Sequence, residues 1–387
     1  MHGRAKLTIL VACVALAGCG ATQPSPSTPS APARTATARA AGTPALPGAR
    51  AAFAPLVVGL ADGASGWGGS STAPQLDRLA NGSGTHWLRD PFKWSVIEPS
   101  PGRFTFAYYD HYMLLAAQRG LHVVPQLVDA PRWAAPTPTS LPADPTAFAA
   151  YVAAVVGRYG PGGTFWSQHP SLKASPITAY ELWNEPYFDN GDGAAYNPGR
   201  YARMVKAAGI AGHAVAPSAK FMIEAEMEAH LSRVWTWWVD ALYQAVPHLN
   251  RYFNGVAVHD FGDDVTGLSL IVANQPYPNF GRLRRIEDLR RQFLAHGAAR
   301  KPFWIMETGW STCTGPGCVT VTQQANNLAT LFHYVQTKWH KWVQGVFVYR
   351  YQDGADPHSA QGGYGLVHLN GEAKPALRVF RMFASGG

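Results

Sequence analysis

Two short strings carry most of the chemistry this sequence can offer. Tyr180-Glu181-Leu182-Trp183-Asn184-Glu185-Pro186 closes one apolar run, and Phe303-Trp304-Ile305-Met306-Glu307-Thr308-Gly309-Trp310 closes another. Each sets a glutamate among aromatic residues where a strand should end. Two carboxylates brought face to face can break a glycosidic bond. One carboxylic acid protonates the leaving oxygen, and the other carboxylate attacks or stabilises the anomeric carbon. A lone glutamate is more often a solvated or minor structural group, and Glu181, Glu224, Glu228 and Glu372 are read that way. The string Trp-Asn-Glu-Pro is more specific, since average residue frequencies produce it in about one chain in a thousand.

The elements that must position these residues are short apolar runs alternating with helical patterns. Strands are expected at 56–61, 85–89, 121–127, 178–183, 220–225, 255–259, 302–307 and 344–350. Most are largely apolar throughout, as strands covered on both faces of a parallel sheet are. Helices are expected at 106–119, 145–158, 199–214, 232–245 and 375–384. Two more show apolar faces, one through Leu283, Ile286, Phe293 and Leu294 up to Gly297. The other runs from near Thr322 through Ala325, Leu328, Ala329, Phe332 and Val335. Eight strands with helices between them predict an α/β (β/α)8 barrel, whose active site forms at the carboxyl ends of the strands. A doubly wound sheet is the rival, but no glycine-rich phosphate loop follows a strand.

With the strands in this order, the two glutamate motifs resemble the acid/base and nucleophile motifs of clan A glycoside hydrolases, retaining enzymes on a (β/α)8 barrel. Trp94-Ser95-Val96-Ile97-Glu98-Pro99-Ser100-Pro101-Gly102, continuing through Phe104, Phe106, Tyr109 and Asp110 to Gly120, resembles families 39 and 42 of that clan, and Pro131-Arg132-Trp133 agrees. The resemblance spans residues 56–383. It implies that Glu185 is the acid/base, Glu307 the nucleophile, Asn184 the holder of the sugar 2-hydroxyl and Arg89 the residue that orients Glu307. His259 ends strand six where a His-x-Tyr pattern is usual. Phe261 stands in place of that tyrosine, so its phenol is missing or comes from elsewhere. Where strand eight usually offers a tryptophan under the sugar, this chain has Tyr349 or Tyr351.

The residue types support the same roles. A second carboxylate nearby should raise the pKa of Glu185, Arg89 should hold Glu307 ionised, and Asn184 offers a neutral donor. Trp133, Trp310 and Tyr349 present flat faces to sugar C–H groups, or else pack the barrel. Glu226, past strand five, is a further substrate contact to test. The activity expected is retaining hydrolysis of a poly- or oligosaccharide through a covalent glycosyl-enzyme. The alternatives are a non-catalytic polysaccharide-binding barrel and a transglycosylase. Serine-hydrolase and metallohydrolase readings fail, with no Gly-x-Ser-x-Gly elbow and no His-Glu-x-x-His or clustered His/Cys set. No metal and no cofactor is expected.

The amino terminus reads as an export signal. Arg4 and Lys6 precede Leu7–Ala17, apolar except for Thr8 and too short to span a bilayer. Leu16-Ala17-Gly18-Cys19 resembles the lipobox of bacterial lipoproteins, which implies cleavage before Cys19 and lipid on it. Residues 1–18 are then a signal peptide and 19–50 a flexible linker, because small residues and proline fill 24 of the 29 positions from 22 to 50. Residues 51–387 form the catalytic domain. The expected location is the cell envelope, lipid-anchored on the outer face of a bacterial membrane, or secreted, as a monomer. Of the 4 cysteines, Cys313 and Cys318 flank a turn-prone Thr-Gly-Pro-Gly and are expected to form a disulfide outside the cytoplasm.

Composition bounds the rest. The 387 residues are 47% hydrophobic and 12% aromatic, which excludes disorder over most of the length. A net charge of +8 comes from scattered basic residues. Their densest group, Arg282, Arg284, Arg285, Arg290 and Arg291, is mixed with Glu287 and Asp288. It reads as a solvated helix face with a Glu287–Arg291 pair, and nucleic acid is not an expected partner.

Overall fold

The computed structural model describes residues 56–64, 72–187, 197–225, 230–231, 234–261, 285–315, 318–359 and 361–384. The leader, Cys19, the linker, Glu226, Glu228, Arg282, Leu283 and Arg284 lie outside these described residues. Eight parallel strands close into a barrel: β1 Val57–Ala61, β2 Trp87–Lys93, β3 His122–Val128, β4 Ala179–Leu182, β5 Lys220–Glu224, β6 Gly255–His259, β7 Phe303–Thr308 and β8 Val343–Val348. Neighbours in space are neighbours in sequence, with β8 pairing back onto β1 from Val57↔Gly345 to Leu60↔Val348. This is the expected (β/α)8 barrel.

Alternation along each strand sorts side chains into two cores. Val124, Ala179, Met222, Ala257, Trp304 and Phe347 fill the barrel, with Trp87 against them. Their neighbours Leu88, Val123, Tyr180, Ile223, Val256 and Phe303 face the helices. Gly345 leaves room for Trp304, whose ring lies where a β-carbon would stand.

The covering helices follow their capping signals. Asp144 accepts the Thr146 amide at 2.8 Å and Pro145 opens the helix Pro145–Tyr159, whose apolar face is buried. A capping box of Thr320 and Gln323 starts Val321–Tyr334. Two expectations need correction. The helix expected over 232–245 covers only Trp238–Ala245, because Val234–Trp237 pairs instead with His230–Leu231 as a short antiparallel hairpin. On Arg285–Ala295 the buried face is Ile286, Leu289 and Phe293, while Leu294 is exposed. There Arg291 pairs with Asp288 rather than with Glu287, which accepts from Trp339 Nε1 at 2.9 Å. Among the described residues no helix is long and apolar enough to cross a membrane.

Candidate active site

The alternation that fills the barrel also builds its polar top layer. Two residues on from Trp87, Val124, Ala179, Met222 and Ala257 stand Arg89, Gln126, Glu181, Glu224 and His259, on five successive strands. Arg89 is the hub. Its Nε lies 2.5 Å from Glu181 Oε2, its Nη1 2.5 Å from Glu307 Oε1 and its Nη2 2.9 Å from His259 Nε2. Burial alone would lower the pKa of this guanidinium, but Glu181, Glu307 and Glu224 raise it, so it stays charged.

Glu307 reaches the layer through an irregularity. Trp304 and Met306 both face the barrel interior, so strict alternation would turn Glu307 outward. β7 instead carries an extra residue: Val258 pairs with Ile305 and His259 with Glu307, while Val346 pairs with Ile305 and Val348 with Thr308. Such a bulge re-aims a side chain. It brings Glu307 to the mouth of the barrel.

Glu185 stands beyond β4, on a turn in which Trp183 and Glu185 have φ of 83° and 43°. A non-glycine residue in this region is strained and needs outside support. The support is visible: the Glu185 amide donates to Glu224 Oε2 at 2.5 Å. Its carboxylate Oε1 meets His259 Nδ1 at 3.0 Å, and the same nitrogen is 3.9 Å from Glu307 Oε1. Those two distances cap the separation of the two Oε1 atoms at their sum, about 7 Å. That bound is compatible with the ~5–5.5 Å between the carboxyl groups of a retaining pair.

The electrostatics correct one expectation. Burial pushes the Glu185 carboxyl up, but the hydrogen bond and charge of His259 and the charge of Arg89 outweigh it, and the net direction is down. A raised value was expected from a second carboxylate alone. For His259, burial pushes downward, yet the carboxylates around it, Glu224 and Glu307 foremost when ionised, push it well above the ordinary imidazole value. Within the Glu181–Glu224 pair, burial pushes Glu181 up but Arg89, His259 and Glu224 together bring it down, whereas burial drives Glu224 well up.

The structure therefore brings Glu185, Glu307, Asn184, Arg89 and His259 together, as expected from the sequence. Asn184 Oδ1 accepts from Gln126 Nε2 and, at 3.4 Å, from Arg89 Nη2, which leaves its amide N–H groups to face a sugar hydroxyl. Glu181 and Glu224, read as solvated or minor groups, are 0% and 1% exposed and belong to the site. Gln126 was missed altogether. Trp310 is 2% exposed and packs in the core, so it offers no face to a sugar. Trp133 is half-buried, its Nε1 donating to the Glu98 carbonyl at 3.1 Å. Tyr351 is buried, and its amide donates to Asp62, so of the two strand-eight tyrosines Tyr349 is the one left at the mouth. Its half-buried ring meets Phe261 at 5.9 Å and Tyr364 at 5.7 Å. Its hydroxyl is pushed up by burial and feels the charges of Arg350 and Glu307. Cys313 and Cys318 are joined by the expected disulfide.

Glu181, Glu224 and His259 place three potential donor atoms within 4.8 Å of one another, as a metal site would. Arg89 already fills the cationic role there, bonded to Glu181 and 3.8 Å from Glu224 Oε1. A dication beside it would meet a buried guanidinium, and the donor set does not fit one.

The eight-stranded barrel is a fold this chain shares with glycoside hydrolases of known structure. A family 39 glycoside hydrolase from Bacteroides cellulosilyticus matches with TM-score 0.58 and 20% identity, over 86% of this chain and 64% of its own. An exo-β-1,4-mannosidase from an Opitutaceae bacterium matches with TM-score 0.57 and 18% identity, over 87% and 60%. Xylanase 10B from Thermotoga maritima matches with TM-score 0.57 and 14% identity, over 85% and 94%. The chain thus spans under two thirds of the length of the first two. No protein-family model and no curated protein sequence matches it.

Proposed function

We propose that this protein is a retaining glycoside hydrolase acting on a poly- or oligosaccharide. The observation that carries the reading is the bridging of Glu185 and Glu307 by one imidazole, with Arg89 bonded to Glu307. A free Glu307 oxygen attacks the anomeric carbon as the bond to the leaving oxygen breaks, and Glu185 protonates that oxygen. Water then attacks the glycosyl ester, gives a proton to Glu185 and releases the Glu307 carboxylate. Arg89, bonded to Glu307 Oε1, aims the nucleophile. The Asn184 amide donates to the sugar 2-hydroxyl, a bond that strengthens as charge develops on the ring. Trp133 and Tyr349 offer apolar faces along the cleft.

The likeness to the family 39 enzyme, the mannosidase and the xylanase supports a glycan substrate. A panel of β-glucans, mannans, xylans and aryl glycosides, followed by proton NMR of the first-formed product, tests the reading. Retention of anomeric configuration is the expected result. Inversion, or turnover that survives Glu307→Gln, overturns it. The lipobox-like Leu16-Ala17-Gly18-Cys19 supports anchoring of the mature enzyme at the cell envelope through lipid on Cys19. Partition of the expressed protein into detergent, lost on Cys19→Ser, is the check.

A further inference from the structure

Glu224 is the group in the top layer that the reaction does not use. It is 1% exposed, on the last residue of β5, and its Oε1 has no hydrogen-bond donor although it is buried. A buried carboxylate oxygen without a donor is costly. The groups around it come from every neighbouring element. From β2, Arg89 Nη2 lies 3.8 Å from Oε1. From β6, His259 Nε2 lies 3.2 Å from it. From β4, a carboxylate oxygen of Glu181 lies within 4.8 Å of one of Glu224. The covering helix contributes the Tyr201 hydroxyl, which is spent on the Glu224 amide and the Leu182 carbonyl. Beyond β4, the Glu185 amide donates to Oε2. Two carboxylates can share a hydrogen bond only if one of them carries a proton. Glu181 is bound by two nitrogens of Arg89 and is the ionised member.

We propose that Glu224 is a positioning residue for the acid/base, a neutral carboxyl that donates from Oε1 to Glu181 and accepts the Glu185 amide on Oε2. The proposal rests on Glu185 being the acid/base. It explains how a strained, positive-φ glutamate is held: the one buried side chain that takes its amide is itself fixed by the Glu181–Arg89 pair. A neutral Glu224 also leaves Glu181, Glu185 and Glu307 as the anions around His259.

Three measurements on the full chain test it. With 13C-glutamate labelling, the infrared spectrum at neutral pH should hold the carbonyl band of a buried carboxylic acid, absent in Glu224→Gln. This readout needs no substrate, so it stands or falls separately from the glycosidase reading. Glu224→Ala should lower kcat on substrates with poor leaving groups by about 10²-fold, the effect of a ~1 Å misplacement. KM should hold, and an activated aryl glycoside, which needs no proton, should be little affected. Glu224→Gln supplies the same donor and acceptor without charge and should restore most of that loss, with the basic limb of the pH profile where the native enzyme has it. Absence of the infrared band overturns the proposal. So does a basic limb displaced to lower pH in Glu224→Gln, because an ionised Glu224 would then have been supporting the His259 charge. Equal loss on both substrate classes would make Glu224 a merely structural residue. Should Glu224→Ala not fold, the band and the glutamine variant still decide.

Discussion

Replacing Arg89 by methionine should destabilise the barrel severely, with a cost that depends on pH. The guanidinium is 6% exposed and bonds Glu181 through two nitrogens, at 2.5 and 3.2 Å, and Glu307 through a third. Without it Glu181, fully buried, keeps only His259, whose Nε2 lies 3.3 Å from Oε1, as a positive partner. Breaking such a pair from one side costs about 3–5 kcal/mol, and three lost charge-assisted bonds put this case at the upper end. Native Glu181 has a depressed pKa, so its contribution is present above the unfolded value of about 4.3 and is lost as pH falls through the lower native value. In Arg89→Met burial dominates and the sign reverses: the ionised carboxylate costs stability above about pH 4.3, and the cost fades as it takes up a proton. Urea unfolding near neutral pH and near pH 4, followed by tryptophan fluorescence, should show the deficit shrinking at the lower pH. Adding Glu181→Leu should recover half of it or more, since apolar replacement of both partners is often neutral. A deficit below ~1 kcal/mol, the value of an exposed pair, would refute the reasoning. A deficit untouched by Glu181→Leu would refute it equally.

Four further outcomes are expected. Glu185→Ala should keep turnover on aryl glycosides with good leaving groups, and added azide should rescue it as a β-glycosyl azide detectable by mass spectrometry. His259→Gln should move the basic limb of kcat/KM to lower pH, because the raised imidazolium no longer stores a proton beside Glu185. The same variant should lose stability mainly at low pH, since a raised histidine stabilises fully below its unfolded value of about 6.5 and loses that effect as pH climbs through the folded one. Cys313→Ser with Cys318→Ser should lower stability by an amount at the small end of ~2–4 kcal/mol, as the loop closed over a separation of 5 is short; thermal melts check it.

The barrel, its strand order and both glutamate motifs were legible because each rests on local pattern: apolar runs, caps and an improbable tetrapeptide. The rest of the top layer was legible in principle. Counting on by two from Ala179 and Met222 puts Glu181 and Glu224 inside the barrel, where a charge must be paired, yet judged singly each looks like one more glutamate. What no local pattern holds is the bulge in β7. It arises from pairing with β6 and β8 at once, and a regular strand would have sent Glu307 outward. Trp310 misled for a related reason: an aromatic next to a catalytic motif looks like a platform, but two residues past β7 the chain has already turned into the core.

The downward direction at Glu185 seems at odds with a general acid until protons are counted for the pair rather than for the residue. His259 Nδ1 and Glu185 Oε1 are 3.0 Å apart, close enough to share one proton. A rate that requires the proton on Glu185 and a rate that requires it anywhere in the pair have the same pH dependence, because the two microstates interconvert at fixed proton count. The basic limb therefore reports His259, although Glu185 delivers the proton. On the proposed mechanism, conversion of Glu307 into a glycosyl ester would remove one anion beside His259, loosen its hold on the proton and leave Glu185 a base able to take one from water. The arrangement thus supplies acid and base in turn from a pair whose proton count, rather than either member's own value, sets the working range.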